Sequence, residues 1–173
     1  FVETEIAKSA KKNKKRKKHF KPLKQTKEAA DEFGAYALLY ALVQRSWMSL
    51  KMELMRVRAI VALSTTSTTC QHAMEVVLAV SENKFHRFFS LYKDAPHMSA
   101  YLMDFMLQRV RTAAYDIIVS AYRPSVGEGD VQEWLDFFDQ DETIAFLKQR
   151  GAVLVEDPAR GVGDPSIDCK ASW

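Results

Sequence analysis

The segment spanning residues 83–105 constrains the fold more than any other part of the sequence, because it gathers aromatic residues around one proline. Four of them recur at helical spacing and predict a single apolar stripe, a pattern typical of a buried helix face. These residues are Phe85, Phe88, Phe89 and Tyr92. Pro96 ends this helix because it disfavours helical geometry in the preceding residue. The sequence thus predicts a helix–turn–helix corner in a helical domain.

Ser99 is the predicted N-cap of the helix that follows the corner, since a serine side chain can satisfy a free backbone N–H there. We expect the aromatic stripe to pack against three residues of this helix. They are Tyr101, Leu102 and Phe105.

Apolar periodicity predicts further helices at residues 27–45, 49–63, 70–80 and 98–122, with Ser49 capping the second of these. In the helix at 27–45, one apolar face is expected to be buried, and three leucines widen it. That face carries Phe33, Tyr36, Ala37, Tyr40 and Ala41. Helices of this length joined by short loops favour an all-α array of antiparallel helical hairpins, similar to a solenoid.

The pattern changes after Pro124. Asp130 and Asp141 are predicted caps of two short helices, the second of which ends at Gly151. Residues 152–155 and 166–169 favour strands on either side of a loop rich in proline and glycine. This order of helix, helix, strand, loop, strand predicts a small winged helix. We therefore divide the chain into residues 1–27, a basic tail, 28–124, a helical repeat region, and 125–173, a winged-helix module.

Charge is distributed very unevenly along the chain. Residues 8–27 hold eleven basic residues and no acidic one, whereas residues from 28 onward hold 14 basic and 20 acidic residues. The dense part of the basic tract comprises Lys11, Lys12, Lys14, Lys15, Arg16, Lys17 and Lys18. Without apolar periodicity the tract is expected to be disordered. It favours a nuclear-import signal or a nonspecific RNA-binding arm, while a solvated linker remains the plain alternative.

Four ordered segments resemble the nuclear Sac/GANP/Thp family. Residues 84–104 read KFHRFFSLYKDAPHMSAYLMD and are similar to the family's HRFFRLY and MSGYLMD blocks. Residues 32–40, 121–125 and 167–172 are similar to its EF.AYR.LY, AYRPS and IDCKAS blocks. The last part looks closer to the Thp-like members. The family has further helices before these blocks and this chain opens at Phe1, so we expect a fragment or a shortened paralogue.

The resemblance implies a PCI-like architecture in which helical repeats lead into a winged helix. It also implies a nuclear scaffold of mRNA export or transcription-coupled complexes that pairs with a PCI-domain protein. In the family a small acidic Dss/Sem-type protein usually joins such a pair, and the complex can contact RNA. Trp134 and Trp173 are candidate partner-binding anchors, since tryptophan is enriched at interface hot spots. Filling the small core is an equally good interpretation of Trp134.

No pattern of residues predicts catalysis, a metal site, a cofactor or a membrane span. Cys70 and the scattered histidines lack zinc-ligand spacing. The carboxylates between residues 128 and 141 favour helix caps and a solvated face. Two alternatives stay open: a hydrolytic enzyme that uses this acidic C-terminal region, and a stand-alone RNA-binding protein that acts through the lysine-rich tail. Residues 127–173 carry eleven acidic and four basic residues, so this module should repel nucleic acid.

Overall fold

The computed structural model describes residues 24–63, 67–156 and 165–172. Five helices form the helical region: α1 Lys24–Val43, α2 Trp47–Leu63, α3 Thr68–Ser81, α4 Phe85–Lys93 and α5 Ser99–Ala121. The C-terminal module follows: β1 Ser125–Gly127, α6 Glu128–Trp134, α7 Gln140–Gln149, β2 Leu154–Glu156 and β3 Pro165–Asp168. The mostly helical fold confirms the all-α prediction in outline, with a small sheet in addition. None of the described helices is both long and apolar enough to cross a membrane.

The sheet of the C-terminal module has the strand order β1-β3-β2, and both pairings are antiparallel. Ile167 of β3 lies opposite Val126 on one side and Leu154 on the other, and it is almost fully buried. The sequence predicted β2 and β3 to within two residues and missed β1. Pairing with β3, some forty residues later in the chain, is what makes the short segment Ser125–Gly127 a strand.

Helix α1 lies at the centre of the helical region and packs against α2, α3 and α5. Helices α2 and α3 both come near α1 at Gly34, where an added Cβ would lie 3.0 Å from Ile60 Cδ1 and 3.3 Å from Cys70 Sγ. The predicted burial of Phe33 and Tyr40 is wrong, because their side chains are 67% and 54% exposed. Close packing on several sides instead buries smaller residues and the leucines. These buried residues include Ala35, Leu38, Leu39, Ala41 and Leu42.

The aromatic corner is buried mainly on α4, and of the three residues predicted on α5 only Leu102 is partly buried against the core. Phe88 and Phe89 are buried and meet edge to face, with ring centroids 5.6 Å apart. The half-buried Tyr92 donates its hydroxyl proton to Asp104 of α5 (2.5 Å). The predicted packing against Tyr101 and Phe105 is wrong, because these side chains are 64% and 76% exposed. Helix α5 instead buries Met103 and Met106.

Four predicted helix caps are wrong. Helix α2 begins at Trp47, after Ser46, whose hydroxyl oxygen accepts the Ser49 N–H at 3.4 Å. The Ser99 hydroxyl is buried and has no hydrogen-bond partner within the described ranges. Helices α6 and α7 begin at Glu128 and Gln140, so Asp130 and Asp141 lie inside their first turns. The two aspartates favour the helices there through the dipole rather than through a cap.

Candidate partner interface

The C-terminal module presents a free strand edge. Because β3 lies between β1 and β2, the outer side of β2 pairs with no other strand in the described part of the chain. Val153 and Val155 flank Leu154 and are 41% and 47% exposed, whereas Leu154 is partly buried against the core. Side chains alternate along a strand, so the two valines form an apolar pair on one face. An edge of this kind can accept an extended segment from another protein.

The end of the module is fixed against β2. The Val153 N–H donates to Ser172 Oγ (2.9 Å), and the Asp168 N–H donates to the Val153 carbonyl oxygen (2.9 Å). Asp168 Oδ1 also accepts the backbone N–H groups of Lys170 and Ala171 at 2.9 and 3.1 Å. These bonds fold the segment after β3 into a turn beside β2. The segment that resembles the family's IDCKAS block therefore holds β2 in place through hydrogen bonds to the backbone of Val153.

Trp134, one of the two sequence-predicted anchors, lies at the end of α6. Its ring is half-buried and packs against Tyr122, with centroids 5.1 Å apart and planes tilted by 32°. The side chain thus both contacts the core and remains accessible. Trp173 lies outside the described residues, as do the seven basic residues from Lys11 to Lys18.

Phe138 is the other prominent apolar group of the module. It lies in the turn between α6 and α7 and is 94% exposed, while the preceding Phe137 is buried. Two adjacent phenylalanines with opposite environments follow from the sharp turn at Asp136, whose φ is 54°. A phenylalanine this exposed is a natural contact for a second protein.

Arg111 of α5 connects the helical region to this turn. Its buried guanidinium donates to the carbonyl oxygens of Leu135 (3.1 Å) and Asp136 (2.7 Å) and to Glu142 Oε1 (2.8 Å). It also stacks on Phe137, with Cζ 3.9 Å from the ring centroid. A planar guanidinium with five N–H groups can make these contacts together, which a lysine could not.

The carboxylates near the turn take part in structural contacts. Asp136 pairs with Lys93 of α4 at 2.5 Å, and Glu142 pairs with Arg111. Glu128 is buried at the start of α6. The arrangement ties α4, α5 and α7 to one turn.

Both cysteine thiols are buried. The Cys70 thiol donates to the Asp31 carbonyl oxygen (3.1 Å), and burial, followed by the nearby Asp31 carboxylate, raises the pKa of Cys70 to about 12. Burial likewise raises the pKa of Cys169. Thiols that stay protonated at neutral pH are weak nucleophiles and metal ligands. Across the described residues, no three His, Cys, Asp or Glu side chains gather in a group that could hold a metal ion.

Comparison with known proteins identifies the family. The model of the SAC3/GANP family matches residues 10–156 of the chain, so the protein belongs to the SAC3/GANP family. This confirms the family resemblance found in the sequence.

Three relatives cover most of the chain. A leukocyte receptor cluster member 8 homolog of Xenopus laevis is 33% identical over 142 residues, and a THP3 homolog of Schizosaccharomyces pombe is 31% identical over 138. SAC3 family protein A of Arabidopsis thaliana is 28% identical over 154 residues. The alignments include 82%, 79% and 82% of this chain but span only 17%, 34% and 15% of the respective relatives.

Proposed function

We propose that this chain is a non-catalytic scaffold segment of a nuclear complex for mRNA export or transcription-coupled mRNA processing. It pairs with a PCI-domain protein through its C-terminal module. Membership of the SAC3/GANP family supports the biological setting. The observation that carries the interface is the free β2 edge with its exposed valines, Val153 and Val155.

The connectivity of the C-terminal module supports a winged helix. The chain passes from α5 through β1, α6, α7 and β2 to β3, and the strands lie in the order β1-β3-β2. The end of α5 serves as the first helix of the module, because Tyr115 meets Phe146 of α7 edge to face at 6.0 Å. Residues 157–164, which join β2 to β3, lie outside the described residues. Helices α1 to α5 then correspond to the repeat region of a PCI-like protein.

Charge favours a protein partner over nucleic acid at this module. Residues 127–173 carry eleven acidic and four basic residues, and affinity for nucleic acid depends on neutralising phosphates with Lys and Arg. RNA contact is therefore assigned to the basic tract or to the assembled complex. A small acidic Dss/Sem-type protein is the third expected member of that complex.

A catalytic role is disfavoured by the chemistry of the described residues. The protonated thiols of Cys70 and Cys169 are poor nucleophiles, and Asp136 and Glu142 pair with Lys93 and Arg111. A hydrolytic pair of carboxylates must instead be free to act on one bond. These observations support a scaffold rather than an enzyme.

The interface is tested by replacing both exposed valines, Val153→Glu with Val155→Glu, in the tagged chain. The control is Phe105→Glu, which introduces the same charge at a more exposed apolar residue on α5. We expect a PCI-domain protein to co-purify with the parent and the control but not with the double variant. Recovery of the PCI-domain protein by all three would place the interface elsewhere.

Point substitutions are preferable to removal of the module. A chain cut after Pro124 would remove Leu135, Asp136 and Glu142, the partners of the Arg111 guanidinium, and would uncover the apolar end of α5. Loss of binding could then reflect misfolding. The two valines are each almost half exposed, so replacing them should cost about 0.5 kcal/mol of unfolding free energy per substitution.

Nuclear import is tested separately by deleting residues 11–18. We expect a fluorescently tagged protein to leave the nucleus and nonspecific RNA affinity to fall, because counterion release from these basic residues is lost. The control replaces the same residues with a Gly/Ser segment of equal length. Unchanged nuclear accumulation in both variants would contradict the import assignment.

A further inference from the structure

A groove of about 590 Å³ lies between α2 and α3, apart from the C-terminal module. Its apolar lining includes Trp47 and Leu54 from α2 and Met74 and Leu78 from α3. Trp47 is 67% exposed and Leu78 is 54% exposed. Large apolar side chains that line one exposed groove mark a docking surface.

The shape of the groove fits a helix. The lining residues of α3 recur every three or four positions, from Gln71 through Met74 and Leu78 to Ser81. Along α2 the lining runs from Trp47 to Arg58, roughly 16 Å at 1.5 Å per residue. Side chains of two helices form these walls, so no unpaired backbone edge is available to a strand. An amphipathic helix anchored at i, i+3 or i+4 and i+7 suits such a groove.

The charges at the rim are unevenly compensated. Lys51 and Arg58 line the α2 wall, and neither forms an ion pair with a carboxylate of the described residues. The Lys51 ammonium instead lies 5.8 Å from the ring centroid of Trp47. On the α3 wall, by contrast, Glu75 pairs with Arg87. The α2 wall therefore presents uncompensated positive charge beside the apolar lining.

We propose that this groove docks an amphipathic helix of a partner protein whose polar face is acidic. Lys51 and Arg58 are seven residues apart, about 10 Å along α2. Two carboxylates at positions i and i+7 of the bound helix match that spacing. The apolar face of the same helix covers Trp47, Leu54 and Leu78. This site goes beyond the proposed function, since it lies on the helical region and needs no contact with β2.

Neighbouring methionines enlarge the surface. Met48, Met52 and Met55 of α2 are each more than 60% exposed and lie on the side of Lys51 and Arg58 away from the buried face. Methionine side chains are flexible and polarizable, so they adapt to differently shaped apolar partners. Apolar side chains are therefore exposed on both sides of Lys51 and Arg58: the groove lining on one side and the three methionines on the other.

The test uses two synthetic amphipathic helical peptides that share the same leucine positions and carry either glutamate or lysine at the polar positions. Fluorescence anisotropy of each labelled peptide is measured with the complete chain. We expect the glutamate peptide to bind about tenfold more tightly than the lysine peptide, because of the rim charges. Leu78→Asp should weaken binding about tenfold, as loss of an interface anchor does.

A charge-reversal variant tests the role of the rim charges directly. The double variant Lys51→Glu with Arg58→Glu should invert the preference toward the lysine peptide, while Phe105→Asp on α5, outside the groove, should leave both affinities unchanged. Equal binding of the two peptides, no binding, or an unchanged preference after charge reversal would overturn the proposal. So would a homodimer detected by light scattering and abolished by Leu78→Asp, because a second copy would then occupy the groove. Loss of PCI-partner recovery in the valine variants is a separate result and tests only the β2 edge.

Discussion

The helical region and the C-terminal module are stabilised in different ways. In the helical region, α1 packs against three other helices, and most of the buried side chains are apolar. The C-terminal module has its own small core, but its α6–α7 turn is attached to the helices through the guanidinium of Arg111. Apolar burial is non-directional, whereas three directed hydrogen bonds fix an orientation. The comparison indicates that polar contacts determine how the module is oriented on the helical region, whereas its own apolar core determines whether it folds.

The largest effect is expected from the apolar core of the helical region. Phe88→Ala should lower the free energy of unfolding by about 3–5 kcal/mol, because the side chain is fully buried. Phe105→Ala, the same change on an exposed side chain, should alter it by no more than about 0.5 kcal/mol. Chemical denaturation of both variants measures the difference. Equal losses of unfolding free energy in the two variants would show that Phe105 is as important for packing as the buried Phe88.

A somewhat smaller effect should follow from removing the Arg111 contacts. Arg111→Ala leaves the buried carbonyl groups of Leu135 and Asp136 without their donor, so we expect a loss of about 3 kcal/mol. Hydrogen exchange should accelerate in α6 and α7 before it does in α1. Lys93→Ala removes a pair whose lysine is 64% exposed and should cost less than about 1 kcal/mol. Similar costs for Arg111→Ala and Lys93→Ala would contradict the role given to the guanidinium.

The smallest of the three effects concerns a polar contact inside the helical region. Asp31 Oδ2 of α1 accepts the Thr69 N–H (3.2 Å) at the start of α3, so the carboxylate satisfies a free helix N–H from a distant part of the chain. Asp31→Ala should cost about 1–2 kcal/mol, the usual effect of losing a capping oxygen. Asp31→Asn, which keeps an acceptor, should cost less, and thermal denaturation compares the two. An asparagine variant as unstable as the alanine variant would show that the charge, rather than the oxygen, is needed.

The sequence predicted the helices of the helical region well and their buried faces less well. Periodicity identifies a helix, but α1 is apolar over much of its circumference and packs on several sides. Which apolar residues are buried then depends on how closely the neighbours approach. Ala35 fits where the helices are close, whereas Phe33 is left outside. Tertiary packing determines which apolar residues of α1 are buried, and the spacing of apolar residues in the sequence does not reveal it.

The candidate interface was only partly predictable. The strand-forming residues of β2 were visible, but its position at the edge follows from β1, which is too short to give a periodic signal. Arg111 gave no signal because a basic residue on a long helix is usually solvated, and its partners lie 24 to 31 residues further along the chain. Phe138 beside the buried Phe137 likewise required knowledge of the turn at Asp136.

Gly34 has a consequence for the groove between α2 and α3, although it does not line that groove. The absence of a side chain there lets α1 lie close to Ile60 of α2 and Cys70 of α3 at one point, so a larger residue would disturb the packing of both helices against α1. Helices held at a fixed separation offer a preorganised surface, and a ligand that binds it loses less entropy than one that must order its receptor. A methyl group at position 34 would force Ile60 and Cys70 outward by a few tenths of an ångström. The affinity of the groove for its ligand therefore depends on Gly34, although Gly34 lies on α1, behind the two helices that form the groove.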